Sequence, residues 1–488
     1  MSLIDDLLSR FRAQLASQII TAIVGALLII GLARLLDPSG YGIFFLALSI
    51  FSIFDLISRL GIGRSAGRYI AEYKETDRAQ IPHIVRTSLQ INIVLILIAA
   101  LVLVLSHRYI AAIFDEPDLT PLLLTGVLLV SLGTTVTFLT KILQGFEAIS
   151  FIAALEVIGR ISRLILALGL VLAGFGAIGA LWGYILSSLL MSVLGFSYLI
   201  RRIQSIQDRS AQIEPGLRRR IAEYAVPITA TNTAKFLEKG VDTILVGYFL
   251  SPIAVSYYVV SHQVVTFIET PMSALGFTLS PTFGAQKAAG NIDEISRIYE
   301  KILVNALLLY IPAGAGIVLV AEPMIDLIFG SGYSGAVPVL QVLSLYVVFK
   351  AVTKITDNGL DYLGRARERA IAKGVTSVLN VLLNIALIPT IGVVGAAIAT
   401  VFTYGLYTGV NIYIAAQEFT LRKRYILRNL SQILVITGTM SVVVFVLTGY
   451  ISGLMTLALV VCVGGLTWVV LSIVTGMIKV RQVKSILT

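Results

Sequence analysis

The sequence predicts an all-α integral membrane protein with about fourteen transmembrane helices, on the basis of composition and of the length of its apolar runs. Hydrophobic residues make up 57% of the chain and charged residues only 13%, a balance that soluble proteins do not have. Apolar runs of roughly 18 or more residues recur throughout, each long enough to span a bilayer, and their short connections leave no soluble domain. The predicted spans lie near residues 13–35, 41–61, 86–106, 119–140, 152–173, 177–199, 224–249, 254–280, 300–321, 336–357, 371–390, 393–416, 430–449 and 453–477.

The first twelve spans read as two copies of a six-helix unit. Six is an even number, so both copies enter the membrane from the same side and are parallel, with a substrate site expected between them near the midplane. We therefore predict an N-terminal lobe at 1–215, a C-terminal lobe at 216–425 and two additional spans at 426–488. Landmarks that match after a shift of about 215 residues are Pro38 with Pro252, Ile113-Phe114 with Ile328-Phe329, and Gly176 with Gly392.

Basic residues are distributed unevenly between the two sides of the predicted membrane. The formal net charge is +10, and lysine and arginine collect in alternate loops, for example at Arg64, Arg68 and 218–220. The intervening loops carry acidic residues such as Asp115 and Glu116, or no charge. This positive-inside pattern predicts a multi-pass protein of the cell (plasma or inner) membrane with both termini in the cytoplasm. Basic loops also suit anionic lipids, so we expect membrane lipids and no nucleic acid as partners.

The seventh predicted span carries an unusual polar stripe. Each charged group facing lipid would cost roughly 2.5–3.5 kcal/mol, so these side chains are expected to face protein or water. The stripe indicates either a buried polar cavity or an internal ladder of ion pairs, since several members are three or four residues apart. Both interpretations can hold together. The residues that fall within one arc of roughly 100° are Thr231, Lys235, Glu238, Lys239 and Asp242.

Two further spans carry ionisable residues. Asp55 and Arg59 share a face of the second span, where they either form an intrahelical i,i+4 ion pair or line a cavity. In the eighth span, His262 and Glu269 lie along one stripe. His262 is expected either as a hydrogen-bonded interior histidine or as a functional one, while Glu269 is a candidate for coupling to a proton or another cation.

Motifs for chemistry or metal binding are not evident in the sequence. The three histidines are far apart and have no metal-ligand spacing, and the single cysteine, Cys462, excludes an intrachain disulfide. No catalytic constellation or ATP site stands out. We therefore expect no catalytic residue, no metal and no cofactor. Two energy sources remain open, namely coupling to an H⁺ or Na⁺ gradient and trapping of the product outside.

Several local motifs resemble those of one transporter family. They are the turn at 35–42 (LLDPSGYG), the segment 60–63 (LGIG) followed by 68–73 (RYIAEY), Asp242 followed by 245–248 (LVGY), and the glycine turn at 176–180. In these motifs and in its fourteen spans, the chain resembles the polysaccharide-transporter branch (Wzx-like oligosaccharide flippases) of the multidrug/oligosaccharidyl-lipid/polysaccharide (MOP) flippases. The likeness covers essentially the whole chain.

The resemblance implies a flippase that moves a polyprenyl-linked oligosaccharide from the cytoplasmic to the outer leaflet by alternating access. It also implies a V-shaped, MATE-like bundle with a cationic central cavity, acting as a monomer, with other polysaccharide-assembly proteins as candidate partners. Carried over by position, the basic cavity residues are Lys235 and Lys239, with Arg59 and Arg34 as weaker candidates. In this hypothesis the two lysines bind the pyrophosphate or acidic sugars of the head group, and Glu238 and Asp242 hold the lysines in the empty cavity. Asp55 or Glu269 couples transport to a cation.

Two alternatives remain open at the level of sequence. A cation-coupled multidrug or metabolite antiporter can use the same scaffold, although such relatives usually have twelve spans and favour carboxylates in the cavity. A membrane enzyme of glycan assembly would depend on an external acidic residue such as Asp115 or Glu116.

Overall fold

The computed structural model describes residues 23–206, 214–225, 229, 240–269, 292–418 and 421–478, and these residues contain helices and no strand. The helices of the first half are α1 (Ile23–Leu35), α2 (Pro38–Arg59), α3 (Ile62–Thr76), α4 (Ile81–Ile113), α5 (Leu119–Gly145), α6 (Ile149–Leu170), α7 (Gly176–Gln204), α8 (217–225) and α9 (Val241–Phe249). Those of the second half are α10 (252–269), α11 (Ile292–Ile328), α12 (Ala336–Leu363), α13 (Ala366–Ile391), α14 (Val393–Glu418), α15 (Lys423–Thr448) and α16 (Leu454–Val474).

The described helices confirm an all-α membrane protein. Ten helical stretches are long and apolar enough to cross a bilayer, and each of the fourteen predicted spans coincides at least partly with a described helix. One stretch, Ile149–Gln204, contains two spans, because α6 and α7 are separated by a turn at Val171–Phe175. Gly174 and Gly176 in this turn have φ of 91° and 53°, a left-handed backbone that glycine adopts without a steric penalty.

The chain forms two compact units, Met1–Val255 (unit 1) and Ser256–Thr488 (unit 2). In unit 1, α5 is the central helix and packs against α2, α3, α4, α6 and α7. In unit 2, α12 packs against α11 and α14, and the hairpin α13–α14 completes this group. The predicted lobe boundaries at 215/216 and 425/426 stay a prediction.

The motif at 35–42 builds the start of α2. Asp37 is the N-cap, and its side chain accepts a hydrogen bond of 3.0 Å from the backbone N–H of Gly40. Pro38 follows at the first helical position, where its missing N–H costs nothing. Gly42 permits a close approach, since a Cβ there would lie 1.7 Å from the carbonyl oxygen of Pro252. The first-repeat motif thus packs directly on the turn that matches it in the second repeat.

A tight turn joins α2 to the shorter helix α3. Leu60 and Gly61 have φ of 31° and 71°, and these two left-handed residues reverse the chain within two positions. α3 then packs closely on α5: a Cβ at Gly67 would lie 2.4 Å from the carbonyl oxygen of Lys141, and one at Gly145 would lie 2.4 Å from that of Gly67. The turn and the glycine contact bring the end of α2, the start of α3 and the last turns of α5 together.

The two additional C-terminal helices belong to unit 2. α15 packs against α11 and α16, and α16 also contacts α11. Buried apolar residues of α11 and α15, including Leu308 and Ile433, form the contact between them. Trp468 of α16 donates a hydrogen bond of 2.8 Å from its indole N–H to the backbone oxygen of Leu308. Spans 13 and 14 therefore cover one side of the span formed by α11.

Candidate functional site

A cavity of about 570 Å³ opens between α2, α3, α4 and α5 of unit 1. Most of its wall is apolar or hydroxylic, with Ser49, Ser52 and Thr137 among the hydroxyl groups. Three basic side chains and one carboxylate also line it, namely Arg59, Arg64, Lys141 and Asp55. The cavity thus carries an excess of positive charge inside a bundle of membrane-spanning helices.

Arg59 and Asp55 form an ion pair on the last turn of α2. An Arg59 Nη2 lies 2.8 Å from the Asp55 carboxylate, one helical turn away. The pair also lines the cavity, so both interpretations of these residues are correct. Asp55 Oδ1 and Arg59 Nε have no hydrogen-bond partner within the described part of the chain. Both atoms are buried within the protein.

Arg64 and Lys141 bring the unbalanced charge. Lys141 Nζ donates a hydrogen bond of 3.0 Å to the side-chain oxygen of Gln144, which leaves its charge uncompensated. Among the described residues of unit 1, no carboxylate forms an ion pair with either side chain. The α2–α3 turn places Arg64 beside Arg59, and the close packing of Gly63 on α5 places it beside Lys141. Such a cluster is suited to bind an anion.

A second cavity, of about 410 Å³, adjoins the first and shares Asp55, Arg59 and Thr137 with it. Arg160 and Arg163 of α6 extend the basic lining, and Glu156 of the same helix adds a carboxylate. The Arg163 guanidinium lies 4.5 Å from the centre of the Tyr184 ring, and its buried Nε has no hydrogen-bond partner among described residues. The aromatic face stabilises the cation without neutralising it.

The depth of these two arginines distinguishes them from loop residues. Counted from Ile149 at the start of α6, Arg160 and Arg163 lie about 16–21 Å along the helix axis. The hydrocarbon core of a bilayer is about 30 Å thick, so both lie near its middle. Charged residues at this depth are costly and characteristic of a substrate or ion route.

Most of the predicted stripe of span 7 lies outside the described residues. Thr231, Lys235, Glu238 and Lys239 belong to that stretch, so their roles stay predictions. Gly240, the next residue, lines the first cavity. Asp242 lies in the first turn of α9 and is only 3% exposed.

Arg34 does not join the basic cluster. It is exposed near the end of α1 and is absent from the residues that line the described cavities. The assignment of Arg34 to the central cavity therefore stays a prediction.

His262 and Glu269 lie in unit 2, in a different chemical setting. Glu269 forms an ion pair of 2.9 Å with Lys350, and both side chains are less than one-fifth exposed. Lys350 Nζ also lies 4.9 Å from the centre of the Tyr346 ring. His262 packs near the rings of Tyr258 and Tyr346. Sequence reasoning did not assign Lys350 as the partner of Glu269, because the two residues are distant in sequence.

No group of His, Cys, Asp or Glu that could hold a metal ion occurs among the described residues. The charged cavity-lining residues that sequence reasoning did not assign are Arg64, Lys141, Arg160, Arg163 and Glu156. Arg64 was attributed to a basic loop, and Lys141, Arg160 and Arg163 to the general positive-inside pattern. The position of Arg160 and Arg163 in the middle of the predicted span 152–173 was the signal that could have identified them.

Comparison with known families gives a match over most of the chain. A family model described as "Polysaccharide biosynthesis protein" matches residues 31–338, which is more than half of the sequence. This range includes the cavity residues of α2, α3, α5 and α6.

Individual relatives and solved structures agree with this match. The probable low-salt glycan biosynthesis flippase Agl15 of Haloferax volcanii is 23% identical over 393 residues, which cover 80% of each chain. The structure of the lipid II flippase MurJ in an inward closed conformation matches with a TM-score of 0.75 at 16% identity, covering 95% of this chain and 98% of that one. An inward-facing multidrug resistance MATE family transporter of the MOP superfamily matches with a TM-score of 0.65 at 16% identity, covering 81% of this chain and 94% of that one. The chain therefore has the all-α membrane fold of the MOP superfamily.

Proposed function

Because the chain belongs to the polysaccharide biosynthesis protein family, we propose that it is a flippase for a polyprenyl-(pyro)phosphate-linked oligosaccharide. It moves this substrate from the cytoplasmic to the outer leaflet for cell-surface polysaccharide or glycan biosynthesis. The similarity to Agl15, a probable glycan biosynthesis flippase, supports this function. The comparisons identify a transporter and not a catalytic enzyme.

One observation carries the proposal beyond family membership. Four basic side chains that line the cavities of unit 1, Arg64, Lys141, Arg160 and Arg163, form no ion pair with a carboxylate among the described residues, although Glu156 also lines the second cavity. An anionic group in the cavity would compensate their positive charge. The phosphate or pyrophosphate at the junction of lipid and sugar has the required charge, and guanidinium groups bind phosphate through paired, charge-assisted hydrogen bonds.

The two parts of the substrate need different surroundings. The phosphate and the sugars are polar and would occupy the cavity, whose serine and threonine hydroxyls can hydrogen-bond to sugar hydroxyls. The polyprenyl chain is apolar and would stay in the lipid. Bending of one lobe against the other would then expose the cavity to each leaflet in turn.

Two carboxylates, Asp55 and Glu269, are the candidates for coupling transport to an ion. Asp55 lies beside the cationic cluster, and Glu269 lies in the ion pair with Lys350. Protonation or cation binding at either group would change the charge of its surroundings, and we propose H⁺ or Na⁺ as the coupling ion. Lys235 and Lys239 remain candidates for substrate contact, with Thr231, Glu238 and Asp242 beside them.

We further propose a cell-membrane location, with both termini in the cytoplasm and the protein acting as a monomer. In this orientation, the end of α2 at Arg59 and the end of α5 at Gly145 face the cytoplasm. The positive-inside distribution of lysine and arginine supports this assignment. Other polysaccharide-assembly proteins are candidate partners on both sides of the membrane.

Deletion of the gene in its host tests the function. Lipid extracts of the deletion strain should accumulate a completed polyprenyl-linked oligosaccharide, measured by mass spectrometry. Wild-type protein should remove the accumulation, whereas the variant Arg64→Ala/Lys141→Ala should not. Arg78→Ala/Arg219→Ala removes the same charge from exposed positions outside both cavities and should restore the wild-type level.

The opposite results identify the alternatives. An unchanged lipid pool together with new sensitivity to small toxic cations would indicate the antiporter. Accumulation of an incomplete sugar chain, relieved by all variants except Asp115→Ala or Glu116→Ala, would indicate an enzyme of glycan assembly. Either result would refute the proposed flippase.

A further inference from the structure

A shallow groove of about 470 Å³ lies between α3 and the last turns of α5 in unit 1. Three basic residues and one amide provide its polar lining, and glycine and alanine form the rest. Gly67 and Gly145 lie where α3 and α5 touch, so the groove runs along a close contact between the two helices. The lining residues are Arg64, Gly67, Arg68, Ala71, Lys141, Gln144 and Gly145.

The groove has no negative charge of its own. None of its lining residues is acidic, and no described carboxylate forms an ion pair with Arg64, Arg68 or Lys141. Arg64 and Arg68 are four residues apart on the exposed face of α3, where like charges repel and destabilise a helix. Nearby Lys74 on the same helix is paired with Glu147 at 2.8 Å. The helix thus balances one basic residue and leaves the two groove residues unbalanced.

Arg68 is held in position by an aromatic ring. Its guanidinium lies 4.3 Å from the centre of the Tyr224 ring of α8, and that ring packs edge-to-face against Tyr69. The stacking fixes the plane of the guanidinium while leaving its N–H groups free to donate. A positioned guanidinium next to a lysine matches the geometry and charge of a phosphate ligand.

The groove continues into the first cavity. Arg64 and Lys141 line both the groove and the first cavity, so a ligand that moves from one to the other can stay in contact with these two side chains. Arg68 lines only the groove, and Arg59 lines only the cavities. The basic lining is therefore continuous from Arg68 at the surface to Arg163 in the second cavity.

We propose that this groove is a separate binding site for the diphosphate of the lipid-linked substrate, occupied before the substrate reaches the cavity. The inference rests on the proposed function for the identity of the substrate. Arg68 captures the diphosphate at the cytoplasmic surface, and Arg64 with Lys141 then transfers it inward. As the diphosphate moves along the groove, one basic side chain after another pairs with it, so its negative charge stays compensated at each step.

Binding of farnesyl diphosphate to the purified full chain in neutral phosphatidylcholine nanodiscs tests the site. Arg68→Ala should raise the Kd by about fivefold to tenfold, because one charge-assisted contact is lost. Arg68→Lys should recover part of the affinity, since it keeps the charge without the planar fork. Farnesol, which lacks the diphosphate, should bind wild type and Arg68→Ala alike.

Lys74→Ala is the matched control, since it removes one positive charge from the same helix outside the groove. Its Kd for farnesyl diphosphate should stay within about twofold of wild type. The proposal is overturned if Arg68→Ala also stays within that range, or if Lys74→Ala weakens binding equally. The second result would mean that only the general surface charge matters.

A second binding experiment distinguishes the proposed diphosphate ligand from an ordinary phospholipid. In nanodiscs that contain phosphatidylglycerol, the affinity advantage of wild type over Arg68→Ala should persist. Its disappearance would show that the groove holds a bilayer phospholipid, which contradicts the proposal. Since farnesyl diphosphate binding needs no transport, an unchanged lipid pool in the deletion strain would refute the flippase and leave the diphosphate site standing.

Discussion

Both units contain ion pairs, but the basic residues that line the cavities of unit 1 differ from the ion-paired residues of unit 2. In unit 2, Lys350 pairs with Glu269, Arg369 with Asp357, and Arg365 with both Glu368 and Glu418. Arg422 donates to Glu300, whose carboxylate is almost completely buried. In unit 1, the ion pair of Asp55 with Arg59 is accompanied by four basic cavity residues that have no described carboxylate partner. They are Arg64, Lys141, Arg160 and Arg163.

The difference indicates different roles for charge. A paired cation satisfies its partner and stabilises the fold, but it offers little to a ligand. An unpaired cation in a membrane bundle costs free energy until an anion binds, so it is retained where binding is the function. We therefore propose that unit 1 recognises the anionic head group, that the ion pairs of unit 2 are structural, and that Glu269 or Asp55 is the coupling carboxylate.

The most severe test reverses the charge of the unpaired cluster. Arg64→Glu/Lys141→Glu should lower transport in reconstituted vesicles by at least about 100-fold, since two favourable contacts become repulsive. The double reversal Arg78→Glu/Arg219→Glu changes the net charge equally at exposed positions and should keep most of the activity. Equal loss in both variants would mean that net charge, and not the cavity, determines transport.

Arg163 tests how much a single cavity arginine of unit 1 contributes to transport. Arg163→Ala should lower the transport rate by about tenfold, because it removes one cation that would contact the anionic substrate. Tyr184→Phe keeps the ring and should remain close to wild type. A loss in Tyr184→Phe as large as that in Arg163→Ala would transfer the role from the cation to the tyrosine hydroxyl.

The ion pair of unit 2 should respond differently. Lys350→Ala leaves Glu269 as a mostly buried, uncompensated charge and should lower the free energy of unfolding by about 3 kcal/mol, measured by thermal unfolding. Glu269→Gln/Lys350→Met removes both charges and should recover most of that stability. The Kd for farnesyl diphosphate should stay at the wild-type value in the double variant.

Coupling provides a further readout for the same pair. Transport by Glu269→Gln/Lys350→Met should no longer respond to an imposed H⁺ or Na⁺ gradient if Glu269 is the coupling carboxylate. A stable double variant that is still driven by the gradient would leave Asp55 as the coupling group.

The smallest effect concerns a paired charge of unit 1 that lies outside the membrane. Hydrogen bonds from Tyr73 and Arg220 lower the pKa of Glu214 below its ordinary value of 4.5. The stabilisation is therefore complete above about pH 4.5 and is lost as pH falls through the lowered pKa. Glu214→Gln should be slightly less stable than wild type at pH 7, and the difference should vanish on acidification. A difference in melting temperature that is independent of pH would contradict this assignment.

The spans could be predicted from sequence because hydropathy depends only on local composition. Each predicted span is helical over most of its described residues, and the turn at Val171–Phe175 overlaps the end of predicted span 152–173 and precedes span 177–199. The Asp55–Arg59 pair was also predictable, since i,i+4 spacing places both side chains on one helical face. These predictions needed no knowledge of how the helices pack.

The rest of the site depends on packing between helices, which the sequence did not reveal. Lys141 is four residues from the end of α5, where a basic residue is indistinguishable from an ordinary positive-inside residue. Its contact with the groove and the cavity arises from the close approach of Gly63 and Gly67 to α5. Lys350 is likewise distant from Glu269 in sequence, and only the packed structure of unit 2 brings their charges together.

The most direct test is the movement of the substrate between leaflets. Vesicles containing the purified protein are loaded with the lipid-linked oligosaccharide that accumulates in the deletion strain, and an added glycosidase cleaves the sugar exposed outside. The account predicts that wild type brings nearly all of the sugar within reach of the enzyme, whereas Arg64→Glu/Lys141→Glu and protein-free vesicles leave about half protected. The flippase account would be contradicted if about half of the sugar also stayed protected in wild-type vesicles under an imposed H⁺ or Na⁺ gradient.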